Sequence, residues 1–277
     1  MRQPGRRRRV LLYAGAVVLV MAAAFPLFWM LSTSLKPSGE IFATPPRMIP
    51  AHPTLENFGR LFRETSFLTY FRNSATVALM AVLLTLSVSA LGAYGLTRFS
   101  FSGRDKVAGL ILTTYMFAPV MIIIPFYILV KQLGIVNTHL ALVLSYTTFC
   151  LPFCLWLLRA FFASIPLELE EAALVDGAGR GRAVWHVVLP LALPGLIATA
   201  IFTFILAYND FLFAMVLITS EELKTLPVGV NDLFNATIVD WGMIMAAGVM
   251  ITAPAVVFFA AVQRYLVQGW GAGGVKG

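Results

Sequence analysis

The stretch FFASIPLELEEAALVDGAGRGR, Phe161 to Arg182, decides how the chain is read. Pro166 stands where a helix starts, and Glu168, Glu170 and Glu171 fall in its first turns, where the positive end of the helix dipole favours acids. Gly177, Gly179 and Gly181 then end it. The spacing predicts a helix of roughly three turns from Pro166 to Asp176, too short and too polar to cross a bilayer. Its flanks are the opposite. Leu140 to Leu158 is 19 residues without a charge, and Leu189 to Thr219 is 31 residues holding a single acid, Asp210. A short polar helix is therefore tied at both ends to segments that need a membrane.

Further out the pattern repeats. Val10 to Leu31 (22 residues), Asn73 to Leu96 (24), Val107 to Val130 (24) and Gly242 to Val262 (21) also carry no charge. Over all 277 residues, 59% are hydrophobic and 12% charged, against roughly half and about a quarter in a soluble domain, which excludes a soluble enzyme with a polar shell. Each run can cross about 30 Å of hydrocarbon as a helix, and none shows the alternation of a membrane strand. The expected fold is an all-α polytopic membrane protein with six transmembrane helices. Arg6 to Arg9, an apolar run and Ala22-Ala23-Ala24 also suggest a cleaved signal peptide, but the run continues through Phe25 to Leu31, long enough to span, and is kept as span one.

Basic residues set the orientation. With six spans and the N-terminus inside, 13 of the 20 Lys and Arg fall in inside segments and 7 outside, so both termini are expected in the cytoplasm. The net charge of +7 is then topology, and nucleic-acid binding is not needed to explain it. Cys150 and Cys154 lie one turn apart on one span, poorly placed for a disulfide. His52, His139 and His186 are scattered over three loops. Neither a metal cluster nor a catalytic set is expected. No P-loop occurs, and the glycine-rich stretches at Gly177 and Gly269 lack the strand-before, helix-after setting of a dinucleotide loop.

Two regions carry candidate function. In the first outside loop, Ser32 to Arg72, the residues Phe58, Leu61 and Phe62 recur at helical spacing with Arg60, Arg63 and Glu64 off that stripe, which predicts a short helix on the outer membrane face. A docking role and a structural role both stand open for it. Asp210, an acid inside a spanning run, is a functional candidate by default, since it needs a polar partner, the bundle interior or water. With Tyr208 and Asn209 it offers hydrogen bonds to a hydroxyl-bearing ligand, and Tyr208 and Phe211 offer rings that could stack on one. The alternative is an interhelical polar contact. Pro190, Pro194 and Gly195 predict that this span starts late or bends.

Glu171-Ala172-Ala173, three residues, Gly177, nine residues, then Val187-Val188-Leu189-Pro190 resembles the E-A-A-x3-G-x9-I-x-L-P loop of permease subunits of binding-protein-dependent ABC importers, with Val187 for the usual Ile. Four elements at fixed spacing make the resemblance specific. Leu157 to Pro166, Tyr208 to Ala214, Thr225 to Gly229 and the ending Gln263 to Gly269 with Gly274 to Gly277 are similar to the carbohydrate-importing group that includes the maltose permeases, in its six-span member. Tyr208 and Asp210 stand where Trp and Glu are frequent there.

The resemblance implies the type I importer permease fold. It divides the chain into 1–72 (N-terminus, span one and outside loop), 73–264 (the transmembrane domain, with a coupling loop at about 163–190) and a cytosolic tail, 265–277. Glu171, Ala172, Ala173, Asp176, Gly177, Leu189 and Pro190 would couple to an ATPase; Tyr208, Asn209, Asp210 and Phe211 would line the substrate path. Implied partners are a second permease in a heterodimer, two ATP-binding subunits that hold ATP and Mg, an extracytoplasmic solute-binding protein and a carbohydrate, all in a bacterial or archaeal cell membrane. The chain itself would hold no cofactor and catalyse no reaction. An ABC permease for glycerol phosphate, amino acids or phosphate is the alternative. A secondary transporter should show internal repeats or several buried ionisable groups, and an intramembrane enzyme a polar cluster in the spans; neither is seen. The tail ending at Gly277 reads as contact with the ATPase pair or as a disordered terminus.

Overall fold

A computed structural model describes residues 6–235 and 238–273, and all regular structure among them is helical. In chain order the helices are α1 (Arg6–Ser34), α2 (Ser38–Ile41), α3 (Glu56–Glu64), α4 (Phe67–Arg98), α5 (Arg104–Thr114), α6 (Pro119–Gln132), α7 (His139–Ser164), α8 (Leu167–Val175), α9 (Arg180–Ala183), α10 (Leu189–Leu191), α11 (Leu193–Asn209), α12 (Leu212–Leu217), α13 (Leu226–Phe234) and α14 (Trp241–Gly273). Of the expected tail, residues 265–273 continue α14, and Gly274 to Gly277 lie outside the described residues. Two compact units emerge, one drawn from Met1–Phe67 and Val230–Pro254, the other from Leu68–Gly229 and Ala255–Gly277.

In the first unit, α1 is apolar all round, and Val17, Leu19 and Phe25 are exposed, as expected of a helix solvated by lipid. Its end is tied by polar contacts. Asn57 of α3 is buried and donates to the carbonyls of Ser34 and Lys36, each at 2.8 Å, while the Lys36 ammonium sits 4.4 Å from the centre of the Trp29 ring. The short helix expected around Phe58, Leu61 and Phe62 is present as α3, with Leu61 fully buried and Phe62 half-exposed. Arg60 bridges Glu64 at 3.0 Å and Asp240 at 2.5 Å, and these two carboxylates raise its already high pKa.

The second unit is built on α7 and α11. Leu142, Tyr146, Cys150, Cys154, Leu158 and Phe162 recur every fourth residue along α7, and all are buried. On α11 the buried positions Gly195, Thr199, Thr203 and Ala207 repeat at the same interval and are small. Ridges spaced by four pack into each other, and small residues let two backbones approach closely, the usual basis of helix pairing where lipid removes the hydrophobic drive. Cys154 meets Thr203 at 3.5 Å, and the ring of Phe161 covers Gly195 so closely that a Cβ there would lie 2.5 Å from it. Near α8, Ala93, Leu96, Leu155, Leu158, Phe162, Val188 and Ala192 close a common core.

Two expected spans are not single helices. Span three breaks between α5 and α6, which meet at 97°, because Ala118 takes an extended conformation ahead of Pro119, as residues before proline do. Span five breaks at Ala192, where the preceding segment meets α11 at 76°, just before Pro194; the bend inferred from Pro190, Pro194 and Gly195 is present. A π-helical turn, Val184–Val188, leads into it. Asp210, expected inside a helix, instead follows the last residue of α11 in extended conformation, and α12 starts afresh at Leu212.

Candidate functional site

The predicted coupling segment folds as expected, and α8 runs Leu167–Val175 between Pro166 and Asp176. Its end is a Schellman closure: Gly177 takes φ +84°, its N–H bonds to the Leu174 carbonyl at 3.1 Å, and the Ala178 N–H bonds to the Ala173 carbonyl at 3.0 Å. Glu171, Ala172, Asp176 and Gly177 are exposed and Ala173 is half-buried. Leu189 packs partly against the common core and Pro190 is exposed beside it. The exposed side of α8 is mixed: Leu169 and Val175 are exposed, Val175 to 87%, together with Glu168 and Glu171.

What sequence reasoning missed is the residue that holds α8 down. Glu170 is the single buried residue of the helix. Its Oε2 lies 2.9 Å from Arg98 Nε, its Oε1 accepts from the Tyr94 hydroxyl, and Arg98 also donates to the Ile165 carbonyl at 3.1 Å. Three acids in two turns look alike to a dipole argument; only the long-range partner tells Glu170 from Glu171.

The substrate candidates separate. Asn209 and Asp210 line a cleft of about 200 Å³ with Pro119, Tyr146, Phe149, Leu206 and Phe213. It shares Pro119, Phe149 and Leu206 with a neighbouring cleft of about 320 Å³ at the α5–α6 break. Tyr208 does not join them: it is buried and stacked on Phe204 at 5.3 Å, and its hydroxyl has no hydrogen-bond partner among the described residues. Phe211 is partly exposed and lines neither cleft. Asp210 Oδ2 accepts from the Tyr146 hydroxyl at 2.9 Å and from the N–H groups of Phe213 and Ala214 at 3.1 and 3.2 Å, so it satisfies the first turn of α12 while tying it to α7. Tyr146 was the missed member, since a lone hydroxyl in an apolar run announces no partner. Asp210→Ala is expected to cost about 1–3 kcal/mol through the lost cap and the orphaned Tyr146 hydroxyl. Asn keeps a side-chain acceptor, so Asp210→Asn should recover most of that in a detergent melting curve; equal melting of all three proteins would refute the capping role.

At the other end, Asn137 (φ +60°) donates to the Ser220 hydroxyl at 2.7 Å and accepts from the N–H groups of Thr219 and Ser220. Tyr70 donates to Glu221, and Asn73 to the carbonyls of Glu222 and Lys224. Lys224 first, then Tyr70, holds the Glu221 carboxyl below its ordinary pKa. The segment after α12 is pinned from two sides.

Comparison with known proteins agrees with this geometry. The family described as "Binding-protein-dependent transport system inner membrane component" matches residues 89–271. The inner membrane ABC transporter permease protein YcjP of Escherichia coli is 36% identical over 271 residues, 97% of each chain. The trehalose/maltose transport system permease protein MalG of Thermococcus litoralis is 35% identical over 98% of each. A chain from the crystal structure of a bacterial ABC transporter involved in the import of the acidic polysaccharide alginate matches with a TM-score of 0.85 at 25% identity, covering 96% of this chain and 99% of that one. The chain belongs to the binding-protein-dependent transport system inner membrane component family, as a multi-pass permease subunit of an ABC transporter and not an enzyme.

Proposed function

We propose that the chain is one of two permease subunits of an ATP-driven importer of di- or oligosaccharides, with α8 facing the cytoplasm and both termini on that side. The observation that carries the reading is α8 itself, a short helix held by one buried acid, with Glu171 and the apolar Leu169 and Val175 turned outward and available to a second protein. The 13-to-7 distribution of basic residues supports the orientation. Relatives named for trehalose/maltose and for alginate, matched over nearly their whole length, support a carbohydrate substrate.

In this reading two ATPase subunits supply ATP and Mg, a solute-binding protein delivers sugar outside, and a second permease completes the path. Closure of the ATPases pushes α8, and the breaks at Ala118, Ala192 and Asp210 let the outer ends of the spans reorient. The experiment is ATP-driven uptake into vesicles holding the full complex and its binding protein, comparing labelled disaccharides with labelled amino acids and phosphate. Uptake of sugar alone is expected, at a rate that falls to background without the binding protein. Uptake of an amino acid or phosphate and no sugar would overturn the reading.

A further inference from the structure

We infer that Arg98, Glu170 and Tyr94 form the rigid link through which α8 moves α4, making them positioning residues for coupled transport. A surface helix ordinarily docks by its apolar face, which slides and re-packs with little directional preference. In α8 the one buried residue is instead a carboxylate, while apolar Leu169 and Val175 and acidic Glu168 and Glu171 are exposed. The Arg98 and Glu170 side chains are only 9% and 6% exposed in the chain by itself, so neither is available to an incoming ATPase. Charge-assisted hydrogen bonds are short and directional, and a buried pair has no solvent to replace a lost partner.

The contacts also bracket the loop. Arg98 reaches Ile165, the residue just before Pro166, as well as Glu170 within the helix, while Arg180, after the Schellman turn, lies 5.0 Å over the Phe99 ring, which packs edge-on against Tyr94. Residues 94–99 thus hold the start, the middle and the far side of the coupling loop. Since α4 is 32 residues long, roughly 48 Å, displacement of α8 reaches the opposite end of the unit along one continuous helix. A merely structural pair would stabilise the loop but would not be needed for stroke transmission.

This rests on the reading of the chain as an ATPase-coupled permease, and the test separates the two. In the full complex, spin labels are placed at Leu167→Cys, at the start of α8 and outside the residues assigned to the ATPase, and at Leu91→Cys, both exposed, the native Cys150 and Cys154 being buried. In the otherwise native chain the distance between labels should stay narrow and equal with and without trapped ATP. In Glu170→Gln, which keeps the shape and removes the charge, it should broaden and become nucleotide-dependent. Uptake per ATP hydrolysed should fall about 5- to 150-fold, the usual range of coupling between sites, while the ATPases still co-purify. Tyr94→Phe, which removes one donor and preserves packing, should show a smaller loss in the same direction.

A narrow distance and undiminished uptake per ATP in Glu170→Gln would overturn the inference. So would loss of ATPase co-purification, which would make Glu170 a docking residue. A label distance that changes with nucleotide in the native complex would also overturn it. If that distance stays fixed in the native complex and broadens in Glu170→Gln but no sugar is carried, the functional reading fails and the link stands.

Discussion

Glu171→Lys is expected to leave the chain folded and to reduce substrate-stimulated ATP hydrolysis by the assembled transporter to its unstimulated rate. Glu171 is exposed and makes no hydrogen bond or ion pair among the described residues, so exchange at this position should change stability by within about 0.5 kcal/mol. In the proposed reading its importance is toward an ATPase partner, where reversing the charge would convert attraction into a like-charge contact costing several kcal/mol. Gly177→Asp reaches the same end by another route. Space around Gly177 is open, so the cost is backbone strain at φ +84°, about 1–2 kcal/mol, which loosens the Schellman closure and the direction of α8. Stimulated ATPase activity surviving both substitutions in a complex of normal composition would remove the coupling role from α8.

The second large effect is expected at Gly229. A Cβ there would lie 2.1 Å from the Tyr70 ring, with two more ring atoms at 2.4 and 2.7 Å. Tyr70 cannot swing away cheaply, because it is buried and its hydroxyl is bonded to Glu221. Gly229→Ala should therefore strain α13 and its contact with α4 by about 1–3 kcal/mol or more and lower the melting temperature in detergent by about 5 °C or more. Gly229→Val should be worse, and Tyr70→Ala in the Gly229→Ala background should restore part of the loss. Unchanged melting of Gly229→Ala would show that the close approach is not a constraint. Glu221 adds a pH signature: its pKa is lowered in the fold, so its contribution is present above the ordinary carboxylate range and lost as pH falls through the lowered value.

Much of this was legible from local pattern. The limits of α8, the amphipathic α3 and the bend before α11 all follow from residues within a turn or two of each other. The rest depended on distance. Span three holds both Pro119 and Pro125; the first opens a helix after a sharp bend, the second sits inside one, as do Pro26, Pro152 and Pro254. Nothing in a run of apolar residues says which proline breaks it. Asp210 was visible as an anomaly, but its partner Tyr146 lies 64 positions away, and Glu170 lies 72 from Arg98. Asn57, one of the two buried positions of α3, was hidden because a polar residue on an apolar stripe reads as noise until its two carbonyl acceptors are known.

The broken spans have a consequence for where water goes. A continuous helix pairs each carbonyl with the N–H four residues on; at the 97° bend the N–H groups of Tyr115, Met116 and Phe117 close three-residue turns instead and Pro119 brings no donor, so the ladder is interrupted there, as it is again after Asp210. Hydrocarbon offers such groups nothing, so irregular backbone at membrane depth persists only against protein or a wet channel. Both interruptions border the clefts that share Pro119, Phe149 and Leu206. That flank of the molecule is a shoreline: lipid cannot solvate it, and only water or a second protein can complete it.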